Sequence, residues 1–211
     1  MLKVFEIFHS LQGETSRFGL PTVFIRLTGC PMRCSYCDTE YAFSGGSNMS
    51  LDAILKKVAD FDTKYVTLTG GEPLAQKGAF TLLNNLCDRG YSVSLETGGA
   101  IDITEVDRRV SIILDIKTPA SNEAENNQWA NLELITAKDE IKFVLCNRAD
   151  YDWAKNKLIE LNLTQKCPVL FSPSYHDLQA QELAAWVLSD KLNVRLQLQL
   201  HKILWGEKQG V

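Results

Sequence analysis

The sequence contains no apolar run long enough to cross a bilayer. Its first residues, Met1 to Glu6, lack the long apolar stretch and small-residue cleavage site of a signal peptide. A membrane location and secretion are therefore not expected, and the chain reads as cytoplasmic. Basic charge is also short: 22 Lys and Arg stand against 26 Asp and Glu, for a formal net charge of −4. Nucleic acid and anionic membranes favour basic faces, so neither is an expected partner. Repeats, low-complexity tracts and linkers are missing. So is a Gly-x-Gly-x-x-Gly between a strand and a helix, which argues against a Rossmann dinucleotide site.

What is present is the composition of a globular domain, 45% hydrophobic and 23% charged over 211 residues. That length suits one domain, residues 1–211, with a sizeable core. Short β-rich runs alternate with helical stretches. Strands are expected at Val4–Phe8, Thr22–Leu27, Tyr65–Thr69, Tyr91–Leu95, Ser111–Ile116, Ile141–Leu145, Val169–Phe171 and Val194–Leu200. Helices are expected from Leu51, with Ser50 as N-cap, to about Phe61, from Gly78 to Arg89 with Gly90 beyond its end, and over Tyr151–Leu161 and Leu178–Leu188. The stretch from Ala120 to Asn131 is polar and irregular. Strands alternating with helices imply a mainly parallel sheet. About six central strands are too few for a closed eight-stranded barrel. The expected fold is therefore α/β, a partial, incomplete β/α barrel of about six mainly parallel strands.

Unusual polar and glycine residues fall just after the expected strands: Cys30, Gly70-Gly71-Glu72-Pro73, Glu96, Asp115 and Lys117, and Ser172. In a parallel α/β layout those strand ends share one face, where such folds place their sites.

Six cysteines are present, and three of them form Cys30-Pro-Met-Arg-Cys34-Ser-Tyr-Cys37, a C-x3-C-x2-C loop. In a reducing compartment such a cluster suggests metal ligation rather than disulfides. Three thiolates holding a 4Fe-4S cube leave one iron open to a non-protein ligand. A structural zinc site would want a fourth Cys or His. None stands nearby in sequence, and His9, His176 and His201 are distant. Gly70-Gly71-Glu72-Pro73 allows close approach of a ligand to backbone, and its carbonyls or carboxylate accept from an ammonium. An ordinary βα turn is the competing reading. Glu96 suits ribose hydroxyls or a substrate, or is a solvated strand-end charge. Asp115-Ile116-Lys117 ends a very apolar strand, where buried charges need partners.

The cysteine loop, with Tyr36 before its last cysteine, resembles the cluster motif of the radical S-adenosylmethionine superfamily. The glycine motif resembles that superfamily's second motif, which meets the methionine amino group. Ser172-Pro173-Ser174-Tyr175 resembles a last loop on the adenosine side, with a simple turn as competitor. The resemblance implies a full or partial β/α barrel, a 4Fe-4S cluster on Cys30, Cys34 and Cys37, and S-adenosylmethionine held by Gly71, Glu72, Glu96, Asp115, Ile116, Lys117, Ser172, Pro173, Ser174 and Tyr175. Catalysis then needs no side chain beyond cluster and cofactor.

Further residues narrow the resemblance. Glu6-Ile7-Phe8-His9-Ser10-Leu11-Gln12-Gly13-Glu14-Thr15, Val23 to Leu27, Asp38-Thr39 directly after the cluster, and His201 to Gly206 are together similar to the 7-carboxy-7-deazaguanine synthase family, over essentially the whole chain. That resemblance implies a homodimer of queuosine and deazapurine biosynthesis. The implied substrate is 6-carboxy-5,6,7,8-tetrahydropterin, converted by radical ring contraction with loss of ammonia. It further implies Mg2+ on Thr39, a flavodoxin or ferredoxin as electron donor, and short N- and C-terminal extensions that shape the substrate site. Substrate contacts would be Leu11, Gln12, Gly13, Arg26, Thr69, His201 and Val211, the last through its terminal carboxylate. Glu14 is either a helper or a solvated loop charge; Arg26 either clamps a carboxylate or faces solvent from an alternating strand. The cluster loop is short where some relatives carry a long insertion. A radical activase that makes a glycyl radical on a partner protein would share cluster and fold. A zinc-stabilised binding module is the alternative from outside catalysis.

Overall fold

Val66–Gly70 and Ser92–Thr97 alternate an apolar with a polar or small residue, whereas Ser111–Ile116 and Val169–Phe171 contain apolar runs whose two faces are sorted by register. A strand points successive side chains to opposite sides. In the computed structural model, which describes residues 1–211, the strands are β1 (Leu2–Leu11), β2 (Pro21–Leu27), β3 (Ser47–Met49), β4 (Tyr65–Gly70), β5 (Ser92–Thr97), β6 (Ser111–Ile116), β7 (Glu140–Leu145), β8 (Val169–Pro173) and β9 (Arg195–Leu196). They form one sheet in the order β3-β1-β2-β4-β5-β6-β7-β8-β9. β1 runs antiparallel to β2 and β3, and every pair from β2 to β9 is parallel. The sheet is mixed, mostly parallel and open, a partial barrel as expected.

Ile25, Leu68, Leu95, Leu114, Phe143 and Phe171 face the main core, where Leu82, Leu83 and Leu86 also lie. The helices are α1 (Leu51–Ala59), α2 (Gly78–Asp88), α3 (Arg148–Glu160), α4 (Leu163–Lys166), α5 (Ala180–Ser189) and α6 (Leu200–Trp205). Ser50 caps α1 by accepting from the Ala53 amide. Gly90, just past α2, has φ +83, a left-handed conformation that favours glycine. Phe143 meets Phe171 edge-on at 5.5 Å, and Phe171 meets Tyr151 likewise. Burying such side chains contributes about 1.5–3 kcal/mol each. No helix is long and apolar enough to cross a membrane.

Two elements depart from expectation. The final strand, expected over Val194–Leu200, shrinks to Arg195–Leu196, and α6 follows it. Contacts from elsewhere capture this segment: Gln199 donates to Glu14 and Asp38, and the Leu200 amide donates to the Gly13 carbonyl. Tertiary partners thus override an alternating pattern. The edge strand β3 has only three residues and no apolar signature apart from Met49. The irregular stretch after β6 forms three 3-10 turns, at Pro119–Ser121, Ala124–Asn126 and Trp129–Glu133.

Candidate functional site

The opposite face of the same strands lines a cavity of about 680 Å³. That lies in the upper part of the usual range for small-molecule sites, about 300–1,000 Å³. Register places the polar residues side by side. Arg26 pairs with Thr69, and Asp115 pairs with Lys142. The cavity brings together Cys30, Cys34, Cys37, Thr39, Gly71, Glu96, Asp115, Lys117 and the Ser172–Tyr175 loop with Leu11, Gln12, Gly13, Arg26, Thr69, His201 and Val211.

Gly29 to Cys37 is anchored from both sides. The Glu72 amide donates to the Gly29 carbonyl at 2.9 Å. The Ser35 amide donates to the Ser121 carbonyl and its hydroxyl to the Ala120 carbonyl. The irregular loop after β6 is therefore what holds the cysteines in place. A Cβ on Gly71 would stand 2.3 Å from the Gly29 carbonyl oxygen and 2.7 Å from Cys30 Cβ. Only glycine permits that contact. A Cβ on Gly98 would collide with Met32, so the end of β5 packs on the same loop. The three thiols are free. Burial pushes the Cys34 thiol up to about 11. Thr39 Oγ1 lies 3.7 Å from Cys37 Sγ.

Two expected contacts are placed differently. Glu72 is wholly buried and does not line the cavity. Its carboxylate accepts from Leu74 N, Thr97 Oγ1 and Gly98 N at 2.8–3.0 Å. It fixes the turn after β4 to the end of β5, and its backbone is engaged as well, the amide on the Gly29 carbonyl and the carbonyl on the Ala75 amide. Ile116 points its side chain into the hydrophobic core, because alternation along β6 gives the cavity to Asp115. Gln12 reaches the cavity but is heavily engaged by the protein. Its amide donates to Thr67 and Glu96, and its backbone closes the β1–β2 connection through Leu20 and Gly19. Thr69 donates to the other oxygen of Glu96 at 3.0 Å. Glu96 is thereby built into the group expected to face substrate, and burial, then the nearby Glu14 charge, raises its pKa despite Lys142.

Lys142 was not among the expected site residues. Its Nζ lies 2.8 Å from Glu14 Oε2 and 3.7 Å from Asp115 Oδ2. Burial opposes charge on Glu14, but Lys142 and Gln199 win and hold its carboxyl down to about 2. Lys142 is in turn raised well above an ordinary lysine by Glu14, Asp115 and Glu96, against its burial. Lys117 pairs with the same oxygen of Asp115, with Nζ 3.0 Å from Oδ2. A lysine inside the apolar run Ile141-Lys142-Phe143-Val144-Leu145 was the available signal. His201 packs against Gly13, where a Cβ would stand 2.4 Å from its Nδ1, and burial lowers its pKa.

A model of the Radical SAM superfamily matches residues 24–160. A 7-carboxy-7-deazaguanine synthase of Chlorobaculum tepidum is 46% identical, over all of this chain and 97% of its own length. The chain belongs to this family. The 7-carboxy-7-deazaguanine synthase of Koribacter versatilis is 41% identical over the full length of both. Among solved structures, QueE from Escherichia coli superposes with a TM-score of 0.77 at 22% identity, covering 94% of this chain and 93% of its own, and so shares the fold.

Radical SAM enzymes hold a 4Fe-4S cluster and S-adenosylmethionine, and the residues here fit both. No three His, Cys, Asp or Glu side chains converge as ligands of one ion, so a mononuclear zinc site lacks its donor set, whereas a cube takes one thiolate per iron. On two residues that line the cavity, Tyr36 of the cysteine loop and Asp115 of β6, Tyr36 OH and Asp115 Oδ1 are buried with no protein partner. Such atoms are costly unless a ligand meets them.

Proposed function

We propose that the chain converts 6-carboxy-5,6,7,8-tetrahydropterin to 7-carboxy-7-deazaguanine with loss of ammonia, as a radical S-adenosylmethionine lyase of queuosine and deazapurine biosynthesis. The observation that carries this is one cavity uniting the three thiols and the Gly70-Gly71 turn with the Leu11–Glu14 segment and Arg26. Once bound, cluster and S-adenosylmethionine would supply radical chemistry, with one electron delivered by an external reductant. Cys30, Cys34 and Cys37 would hold the cluster. Backbone at Gly71, which lines the cavity beside the cysteine loop, would meet the methionine end of the cofactor. Asp115 and Lys117 would lie along its middle and Ser172 to Tyr175 along the adenosine. On the substrate wall, Glu96, held by Gln12 and Thr69, would accept from a pterin's amino and ring N–H groups in preference to the cofactor's ribose hydroxyls. Arg26 supplies a fork for the substrate carboxylate. Leu11, Gly13, His201 and Val211 complete that wall, and Thr39 offers a hydroxyl to Mg2+, a hard cation that keeps waters and takes substrate oxygens.

We read residues 1–211 as one domain whose terminal segments shape the substrate side. A homodimer, reduction by a flavodoxin or ferredoxin, and residence in the reducing cytoplasm, where these free thiols persist, belong to the same reading. The test is anaerobic incubation with the pterin, S-adenosylmethionine, Mg2+ and a reductant. A deazaguanine product with ammonia release is expected. Cofactor cleavage without that product would sink the assignment in favour of a radical activase. Cys34→Ala is expected to abolish both the brown colour and 5′-deoxyadenosine formation, read by absorbance and chromatography.

A further inference from the structure

The guanidinium of Arg26 carries five N–H donors, and the protein uses one. Nε donates to Glu6 Oε1 at 2.8 Å, and neither terminal amino group has a protein acceptor. The side chain is only 13% exposed. Leaving four guanidinium donors unmet at such a site is unfavourable unless a ligand accepts from them. The sealed polar atoms without partners lie elsewhere, on Ser10, Thr28, Tyr36 and Asp115, so the terminal amino groups open on the cavity that Arg26 lines.

Glu6 stands behind this arrangement. It does not line the cavity. It faces Arg26 directly across the β1–β2 ladder, just past an irregularity between Val4 and Glu6. The rings of Phe8 and Tyr41 lie 5.8 and 5.7 Å from the guanidinium carbon. The Tyr41 hydroxyl donates to the same Glu6 oxygen at 3.4 Å. Nε is therefore fixed by Glu6, and two aromatic rings flank the guanidinium. Together they fix the direction of the free edge. A purely structural ion pair would gain from a two-point contact between fork and carboxylate; here Glu6 takes the inner nitrogen and leaves the outer pair for another oxyanion.

We propose that Glu6 is a positioning residue that aims Arg26 at a planar carboxylate on the ring substrate, and so sets the preference for a carboxylated over an uncarboxylated pterin. This rests on the reading of Arg26 as the contact to the substrate carboxylate. Its test needs no turnover. Cluster-loaded enzyme with S-adenosylmethionine and Mg2+, without reductant, is titrated anaerobically with 6-carboxytetrahydropterin and with 6-methyltetrahydropterin. Glu6→Ala is expected to weaken the first about tenfold, the scale of one charge-assisted hydrogen bond, and to leave the second unchanged. Glu6→Gln keeps an acceptor for Nε and is expected to restore most of the preference. Glu6→Asp, the milder variant should Glu6→Ala not fold, withdraws the acceptor by one methylene and is expected to lose part of it. Equal weakening of both pterins by Glu6→Ala or Glu6→Asp would show a structural role and overturn the proposal. If Arg26→Lys removes the preference while the Glu6 variants keep it, positioning by Glu6 fails and the reading of Arg26 stands. If Arg26→Lys leaves the preference intact, both fall.

Discussion

Two carboxylates in the connections that follow strands of the same sheet behave in opposite ways. Glu72, in the turn after β4, meets only neutral donors, from Leu74, Thr97 and Gly98. Burial dominates and raises its pKa. Glu14, beside the cavity, meets the Lys142 ammonium and the Gln199 amide. There the cation overcomes burial, and the carboxyl falls to about 2. The first carboxylate ties a turn to a strand end. The second forms part of a charged wall that includes Lys142, Asp115 and Lys117. Burial alone therefore does not tell a site residue from a structural one; access to the cavity does.

Removing the cation should break the contrast most strongly. Lys142→Met leaves Glu14 and Asp115 without their shared partner, and the expected loss is about 3–5 kcal/mol, read from denaturation midpoints. A loss below about 1 kcal/mol would place this pair among weakly coupled surface pairs. Titration in acid should sharpen the contrast. The folded-state pKa of Glu14 lies below that of an ordinary glutamate, so its contribution is complete above the ordinary value and disappears as pH falls through about 2. The amount lost is on the order of 3 kcal/mol, and Glu14→Gln should remove that part of the pH dependence. Glu72 has the opposite sign: its raised value penalises folding as pH rises through it. The smallest effect is expected from Glu72→Gln, which keeps shape and one acceptor but turns an NH2 toward a donor. About 1–2 kcal/mol should be lost, with S-adenosylmethionine binding retained in the cluster-loaded enzyme. Loss of that binding at unchanged stability would move Glu72 into the cavity wall.

Much of this was legible in the sequence because its signals are local. The cap at Ser50, the strand Ser111–Ile116 and the cysteine loop each lie within a few residues of chain. Side-chain direction was less accessible. Placing Ile116 in the core and Asp115 in the cavity needed the strand's register as well as its existence. The Glu14–Lys142 pair spans 128 residues, and no spacing rule reaches that far. Glu72 sits in a motif associated with ligand contact, yet its side chain turned inward because Thr97 and Gly98, from the next strand, offered it donors. The end of the chain left its alternating pattern because Gly13 and Glu14 captured it.

The contact between Gly71 and the Gly29–Cys30 peptide bears on transplantation. A designer who grafts residues 30–37 alone onto another scaffold would carry the thiols but lose the surface that shapes their loop. With a Cβ 2.3 Å from the Gly29 oxygen, even an alanine in the neighbouring turn would force the grafted loop to another path. The smallest portable unit is therefore three connections, those after β2, β4 and β6, moved together, because Ser35 is anchored on Ala120 and Ser121.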